Sequence, residues 1–240
     1  MKKLNFIIKY GLALLLLSFY SCESWLNVTP SDRLSEEMLF NDREGFVKAL
    51  NGVYIELNTN ELYGRNLTAG ALDVMGQYYS VASSSHAFYN YGGLVYTGND
   101  EKALFDNMWQ KCYAVIACCN TIIEKCDENK AGLSPVWKGS IKGEALALRA
   151  MLHFDMLRLF GPLTSELDKE SIPYQTNSDQ TVTPLLSGSE VIGLILDDLK
   201  NAVGLLKDTD PYFVEEEFSD TDLNYRRFRM NYFAAKGLMA

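Results

Sequence analysis

The stretch Gly143 to Pro162, GEALALRAMLHFDMLRLFGP, has the pattern of an α-helix that is covered on two sides. At 100° per residue its charged residues and its histidine form two narrow stripes on roughly opposite sides, Glu144, Asp155 and Arg158 on one and Arg149 with His153 on the other. Two apolar faces lie between the stripes. Because a surface helix shows one apolar stripe and one broad polar face, this stretch is predicted to be an inner member of a stacked helical array.

The segment before it, from about Lys102 to Cys126, is predicted to be a helix that packs against it. It carries an apolar seam with alternating steps of three and four residues: Trp109, Cys112, Ile116, Cys119, Ile123 and Cys126. Ser134 and Pro135 form a good N-cap and N1 pair for the opening helix, and Gly161 with Pro162 forms a good stop. Because the turn between the two helices is short, we expect them to be antiparallel neighbours.

Helical spacing also predicts a helix on each side of this pair. Asn41 with Glu44 resembles a capping box, and apolar residues follow at Phe46, Leu50, Val53, Tyr54 and Leu57. Ser187 with Glu190 opens a second capped helix, and one of its faces is formed by Val191, Ile195, Leu199, Val203 and Leu206.

Two segments of the second half are less regular. Residues 163–186 are predicted to be a polar loop, and residues 228–240 to begin a further helix. Ala240 lies in the middle of that helical pattern without a cap. The chain is therefore expected to be an N-terminal half, whose last helix lacks some of its partners and whose stability in isolation is marginal.

Residues 58–99 are predicted to be a long loop, since they lack helical periodicity and contain six glycines. A connection of this length is usually functional or disordered. Its aromatic residues argue against disorder: Tyr63, Tyr78, Tyr79, Phe88, Tyr89, Tyr91 and Tyr96. Sugar rings have apolar faces that pack on aromatic rings, and hydroxyl groups that bond to the polar side chains interleaved here. The alternative is that these tyrosines cover the helical core, with their hydroxyl groups at its rim.

The N-terminus has the pattern of a secretory signal, with three lysines followed by an apolar segment, residues 11–20, that is too short to span a bilayer. Ser21 and Cys22 resemble a lipoprotein cleavage site. We therefore predict a signal peptide over residues 1–21, lipidation of Cys22 and a polar tether over residues 22–40. Cleavage removes three lysines and no acid, which takes the net charge from −9 to −12. That charge argues against binding to nucleic acid or anionic lipid, so attachment to a membrane would come from the lipid anchor alone.

Patterns of catalytic and metal-binding residues are absent from the sequence. Four cysteines lie on one predicted helix, where residues seven apart are separated by about 10.5 Å, too far for a disulfide. No histidine lies near them, so core packing is expected for Cys112, Cys118, Cys119 and Cys126. For His153 we expect a hydrogen-bonded structural role. The sequence also has no nucleophile elbow, Walker loop or zinc-protease motif, so no catalytic residue, metal or cofactor is expected.

The opening helix also carries a family resemblance. It is similar to the EAlalRAylhFdllrlFG helix of the SusD/RagB family, and the segments SIPY and SGSEVIGLILDDLKNAVGLL resemble two later segments of that family. Phe46, Ala49, Gly52 and Tyr54 approximate its F-x-x-A-x-x-G-x-Y helix. The resemblance implies an all-α fold over residues 41–240, an irregular helical array with tetratricopeptide-like helix pairs and a long aromatic loop. Ala150, Phe154 and Pro162 have the spacing of the second half of the tetratricopeptide signature only.

The resemblance further implies a non-catalytic lipoprotein of a Bacteroidetes-type bacterium, anchored in the outer membrane and facing the cell exterior. Such proteins bind glycans or other nutrients and act as the lid of a SusC-type TonB-dependent transporter. In the family, the loop before the W-x-x-x-Y motif, here Trp109 and Tyr113, contributes aromatic residues that stack on sugars. The candidate ligand-binding residues are therefore Asp73, Tyr78, Tyr79, Tyr89, Asn90, Tyr91, Tyr96 and Asn99.

Two alternatives of other classes stay open. One is a helical-repeat scaffold that binds only protein, in which replacing Tyr89 and Tyr91 would leave function intact. The other is a glycan-cleaving enzyme, which needs two carboxylates about 5 to 9.5 Å apart across a sugar. The sequence singles out no such pair.

Overall fold

The computed structural model describes residues 36–179 and 181–240. The predicted signal peptide, Cys22 and most of the predicted tether lie outside the described residues. The chain divides into two units after Met38, and the architecture below is that of Leu39–Ala240. Phe40, the last residue of the predicted tether, is buried and packs edge-on against Phe46, with 4.8 Å between the ring centroids.

About 63% of the residues are helical and the described part of the chain has a single two-stranded sheet, which confirms the all-α fold class. The helices are α1 (Glu36–Leu39), α2 (Arg43–Leu57), α3 (Ala71–Met75), α4 (Tyr89–Gly92), α5 (Asn99–Glu128), α6 (Pro135–Phe160), α7 (Gly188–Thr209), α8 (Asp220–Tyr225) and α9 (Tyr232–Met239). Three 3-10 turns of the described residues lie at Thr164–Glu166, Glu215–Glu217 and Arg226–Phe228. Two short strands, β1 (Glu170–Pro173) and β2 (Leu185–Ser187), pair antiparallel.

Helix α6 is the predicted inner helix, and 16 of its 26 residues are buried. On one side it packs antiparallel to α5, since Lys142 pairs with Asp127 near one end and the Cys112 thiol lies 3.8 Å from the Leu152 carbonyl oxygen further along. On the other side lies α7. Both predicted flanking helices are therefore present. Helix α9 packs against α7.

Two glycines let α6 and α7 approach closely. A Cβ atom at Gly143 would lie 2.8 Å from Leu206 Cγ, and one at Gly139 would lie 2.5 Å from Thr209 Cγ2. Real Cβ atoms essentially never come closer than about 3 Å to such neighbours, because packed interiors leave no spare volume. The glycines thus set the distance between these two helices.

Glu144, the first residue of the first polar stripe of α6, lies in a buried ionic cluster. Glu144 is 2% exposed and accepts hydrogen bonds from Tyr54, Arg226 and Arg229, the last at 2.7 Å from Nε. Burial opposes ionisation, but the two guanidinium groups outweigh it and hold the pKa of Glu144 below its usual value. Arg226 also forms a bidentate pair with the buried Asp210, at 3.0 and 2.6 Å. Glu144 therefore fastens the segment that contains Arg226 and Arg229 to the helical array.

The second stripe holds the segment that follows β1. Arg149 forms a bidentate pair with Asp198 of α7, with both N···O distances 2.7 Å. His153 Nε2 accepts from the Gln175 backbone N–H at 3.0 Å, so its Nδ1 carries the proton and donates to the Arg149 carbonyl at 2.9 Å. The ring stacks on Tyr174 at 3.9 Å, and burial lowers the pKa of His153 to about 3. The expected structural role of His153 is confirmed.

Several local predictions are confirmed and others are wrong. Ser134 caps α6, and Ser187 with Glu190 forms the predicted capping box of α7. The N-cap of α2 is Asp42, whose side chain accepts from Gly45 N at 2.8 Å, and not Asn41. Residues 163–186 are not simply a loop, because they contain β1 and part of β2.

The cysteines of α5 are free thiols, and the expectation of core packing holds for three of them. Cys112, Cys119 and Cys126 are buried, and burial raises the pKa of the Cys126 thiol to about 12. Cys118 is exposed, so the expectation is wrong at this position. Across residues 36–179 and 181–240 no group of three or more His, Cys, Asp and Glu side chains is placed to hold a metal ion. Within the same residues no helix has both the length and the apolar content to cross a membrane.

Candidate functional site

The long loop folds over its own small aromatic cluster. Ala71 and Val74 of α3 and Tyr91 of α4 are buried in it, and Phe88, Tyr96 and Phe105 pack around them. The Tyr91 ring lies 5.8 Å from Phe88 and 6.0 Å from Phe105, both edge-to-face. Such pairs contribute about 0.5–1.5 kcal/mol beyond burial. Because Phe105 belongs to α5, the cluster joins the loop to the helical array.

A cleft of about 370 Å³ opens on the outer side of this cluster. We call it the aromatic cleft. One wall is formed by the chain after α3 and the other by α4 and the residues that follow it. The lining residues are Gln77, Tyr79, Ser80, Val81, Tyr89, Asn90, Gly92, Gly93 and Val95. None of them carries a charge.

The two walls contain most of the unusual backbone of the described chain. Three non-glycine residues of the described chain have a positive φ. Two of them, Gln77 at 60° and Leu94 at 55°, lie in the walls of the cleft. The Gln77 side chain braces the cleft, because its Nε2 donates to Val74 O at 3.2 Å and to Gly92 O at 3.0 Å. Backbone in sparsely populated regions costs free energy and clusters at functional sites. The Gln77 side chain therefore joins the two walls of the cleft.

Two side chains of the cleft are held in place by hydrogen bonds to residues outside it. Asn90 Nδ2 donates to Glu101 Oε1 at 2.8 Å, and this glutamate at the start of α5 is buried. The Tyr79 hydroxyl donates to the Ala69 carbonyl. Tyr79 and Tyr89 are 43% and 42% exposed, so each offers part of its ring to a ligand.

The structure separates the eight candidate residues into three groups. Tyr79, Tyr89 and Asn90 line the aromatic cleft. Tyr91, which is 2% exposed, and the half-buried Tyr96 lie in the cluster beneath it; burial raises the pKa of Tyr91 to about 12. Tyr78 is 82% exposed, and it lies outside the lining of the cleft, as do Asp73 and Asn99. Gln77 also lines the cleft but is not among the eight candidates. Its side chain braces the walls from a backbone with positive φ, and a glutamine in a sequence does not indicate a positive φ.

A second cavity, of about 200 Å³, lies beside the ionic cluster of α6. Trp137 and Phe218 line it, with 4.5 Å between their ring centroids, together with Glu144, Arg226 and Arg229. Its two arginines are already paired with Glu144. These charges stabilise the fold and leave no unpaired guanidinium for a ligand.

The helical array and the uncharged aromatic cleft are typical of a helical binding protein. Comparison with known proteins gives the family. A family model named SusD-like and described as "Starch-binding associating with outer membrane" matches residues 24–219. The chain therefore belongs to the SusD-like family.

Individual relatives agree with this assignment. A SusD-like protein of Formosa agariphila is 27% identical over 199 residues, which cover 76% of this chain and 34% of the relative. A SusD-like protein of Bacteroides ovatus is 30% identical over 142 residues, 58% of this chain and 22% of the relative. The crystal structure of a SusD-like carbohydrate binding protein from Bacteroides vulgatus has a TM-score of 0.64 at 23% identity, covering 83% of this chain and 40% of that chain, and it shows a shared fold. The chain thus spans 34% and 22% of the length of these two curated relatives.

Proposed function

We propose that this protein is a glycan-binding lipoprotein of the outer membrane that holds a sugar residue in the aromatic cleft. The observation that carries the proposal is the cleft itself, in which two half-exposed tyrosines and anchored amide side chains line one braced cavity. The apolar face of a sugar would pack on Tyr79 or Tyr89, and its hydroxyl groups would bond to Gln77 and Asn90. A braced cleft avoids the entropy cost of ordering these groups on binding.

The binding role needs no chemistry on the ligand. Glycoside hydrolysis uses a pair of carboxylates that flank the scissile bond, and none of the residues that line the cleft is an acid. The cleft therefore favours binding over cleavage. Tyr91 and Tyr96 would act as the support beneath the ligand rather than as contacts.

The family supplies the cellular context of the proposal. Its description associates it with the outer membrane. We infer that Cys22 carries the lipid, that the protein faces the cell exterior, and that it delivers its glycan to a SusC-type TonB-dependent transporter. The rigid helical array would form the docking face. A protein that binds only other proteins stays the second candidate, favoured if the cleft binds no glycan.

The proposal is tested by affinity electrophoresis of the full-length protein against a panel of polysaccharides. Once a glycan is found, Tyr89→Ala and Tyr79→Ala should each weaken binding about ten-fold or more, the loss typical of an aromatic contact at the centre of an interface. Tyr78→Ala is the matched control, because Tyr78 is the most exposed tyrosine of the loop and does not line the cleft. If all three variants bind like the unmodified protein, the cleft is not the glycan site.

A further inference from the structure

We propose that the aromatic cleft selects neutral sugar residues and discriminates against those that carry a carboxylate or a sulfate. The inference rests on the proposed function and narrows its ligand class. The charges of the residues in and behind the cleft favour neutral ligands. No lining residue is cationic, and the carboxylate of Glu101 lies directly behind Asn90, which bonds to it at 2.8 Å. Recognition of an anionic group in a protein normally uses Arg or Lys.

The second support is the direction of the free hydrogen-bonding groups. Both N–H groups of the Gln77 amide are used, one on Val74 O and one on Gly92 O. The Asn90 nitrogen bonds to a carboxylate, which fixes the orientation of that amide. The side-chain oxygens of Gln77 and Asn90 accept no hydrogen bond from the described part of the chain. The two amide oxygens are therefore free acceptors, and the side-chain donors that remain in the lining are neutral: one N–H of Asn90 and the hydroxyl groups of Ser80 and Tyr89.

A ligand group that bonds to these two amide oxygens must be a hydrogen-bond donor. Sugar hydroxyl groups donate and accept, whereas carboxylate and sulfate oxygens only accept. An anionic group in the cleft would lose its water and gain only neutral donors, with no cation to balance its charge and with the acceptors Gln77 Oε1 and Asn90 Oδ1 beside it, which is costly for a charged group. The net charge of the chain, −9 by sequence, adds a weaker repulsion at long range.

The test compares polymers that differ only in charge. Binding to the full-length protein would be measured by calorimetry or affinity electrophoresis at about 0.15 M salt. The panel would contain polyuronates and sulfated glycans, the carboxyl-reduced and desulfated forms of the same polymers, and neutral polysaccharides. We expect neutral forms to bind at least about ten-fold more tightly, the consequence of removing an anionic group from water without a cationic partner. Equal or tighter binding of the anionic forms would overturn the selectivity and leave the proposed function standing. Binding to no polymer at all would refute both.

A second test places a positive charge in the cleft and compares it with the same charge placed outside the cleft. Val95 lines the cleft and is 48% exposed, so Val95→Arg adds a cation there with little effect on folding. It should reduce the preference for neutral forms by about five-fold or more. Val182→Arg makes the same change in net charge at a 97% exposed position outside the cleft and should leave the preference unchanged. If the two variants act alike, the preference arises from overall charge and the proposal fails.

Discussion

Replacing Gly143 by alanine should show whether glycine sets the distance between α6 and α7. The added Cβ would lie 2.8 Å from Leu206 Cγ and 3.1 Å from Leu206 Cδ2. Leu206 is fully buried, so it has no free volume into which to move. Gly204 on α7 is the matched control, because a Cβ there meets no atom within 4 Å.

The two substitutions share a gain in helix propensity, and only one of them has a cost from overpacking. Alanine in place of a helical glycine gains up to about 1 kcal/mol in helix propensity at both positions. Overpacking costs about 1–3 kcal/mol at Gly143 only. Gly204→Ala should therefore raise the free energy of unfolding by about 0.5–1 kcal/mol, and Gly143→Ala should lie about 1–3 kcal/mol below it. Urea titrations followed by circular dichroism at 222 nm measure both midpoints. If Gly143→Ala stabilises as much as Gly204→Ala, the close contact between the helices is refuted.

Two further predictions concern the polar stripes of α6. Glu144→Gln should lower the free energy of unfolding by about 3–5 kcal/mol, because the buried cluster then holds two guanidinium groups, Arg226 and Arg229, with Asp210 as the one remaining carboxylate. Arg158→Gln, at an exposed pair, should cost less than about 1 kcal/mol in the same urea titration, and equal costs would contradict the buried cluster. His153 has its folded-state pKa lowered to about 3, so only the unfolded chain binds its proton between that pH and about 6.5. The free energy of unfolding should thus fall by about 2 kcal/mol from pH 7 to pH 5. This dependence should disappear in His153→Gln, and its persistence there would assign it to other groups.

The sequence predicted the array where a pattern repeats over many residues. Helix α6 has 26 residues, enough for two polar stripes and two apolar faces to be recognised from the period of 3.6 alone. Helix ends were predicted less well. Asn41 and Asp42 are both good N-cap residues, and only the extended backbone of Asp42, with φ −146°, decides between them. Strands β1 and β2 have four and three residues, too few for a period, and contacts such as that of the Tyr113 hydroxyl with Pro173 O at 2.8 Å hold them.

The site was predictable as a region but not as a set of residues. The interleaved aromatic and polar residues of the loop indicated where a ligand would bind. Tyr89 and Tyr91 are two residues apart on α4, and one is half-exposed while the other is buried. That difference arises from Phe88 and Phe105, which surround Tyr91 in space. A helix of four residues has no periodicity from which to infer it.

The position of the cleft allows ligand preference and folding to be changed separately. The buried ion pairs that join distant segments link α6 to other parts of the chain, Glu144 to Arg226 and Arg149 to Asp198, and none of these residues lines the cleft. Tyr79 and Tyr89 lie on the exposed side of the smaller aromatic cluster, and surface substitutions of this kind usually change stability by less than about 0.5 kcal/mol. Replacing either one should therefore alter glycan affinity about ten-fold while the unfolding midpoint stays nearly constant. A loss of binding that came with a comparable loss of stability would mean that these rings hold the loop together, as the core-covering alternative requires.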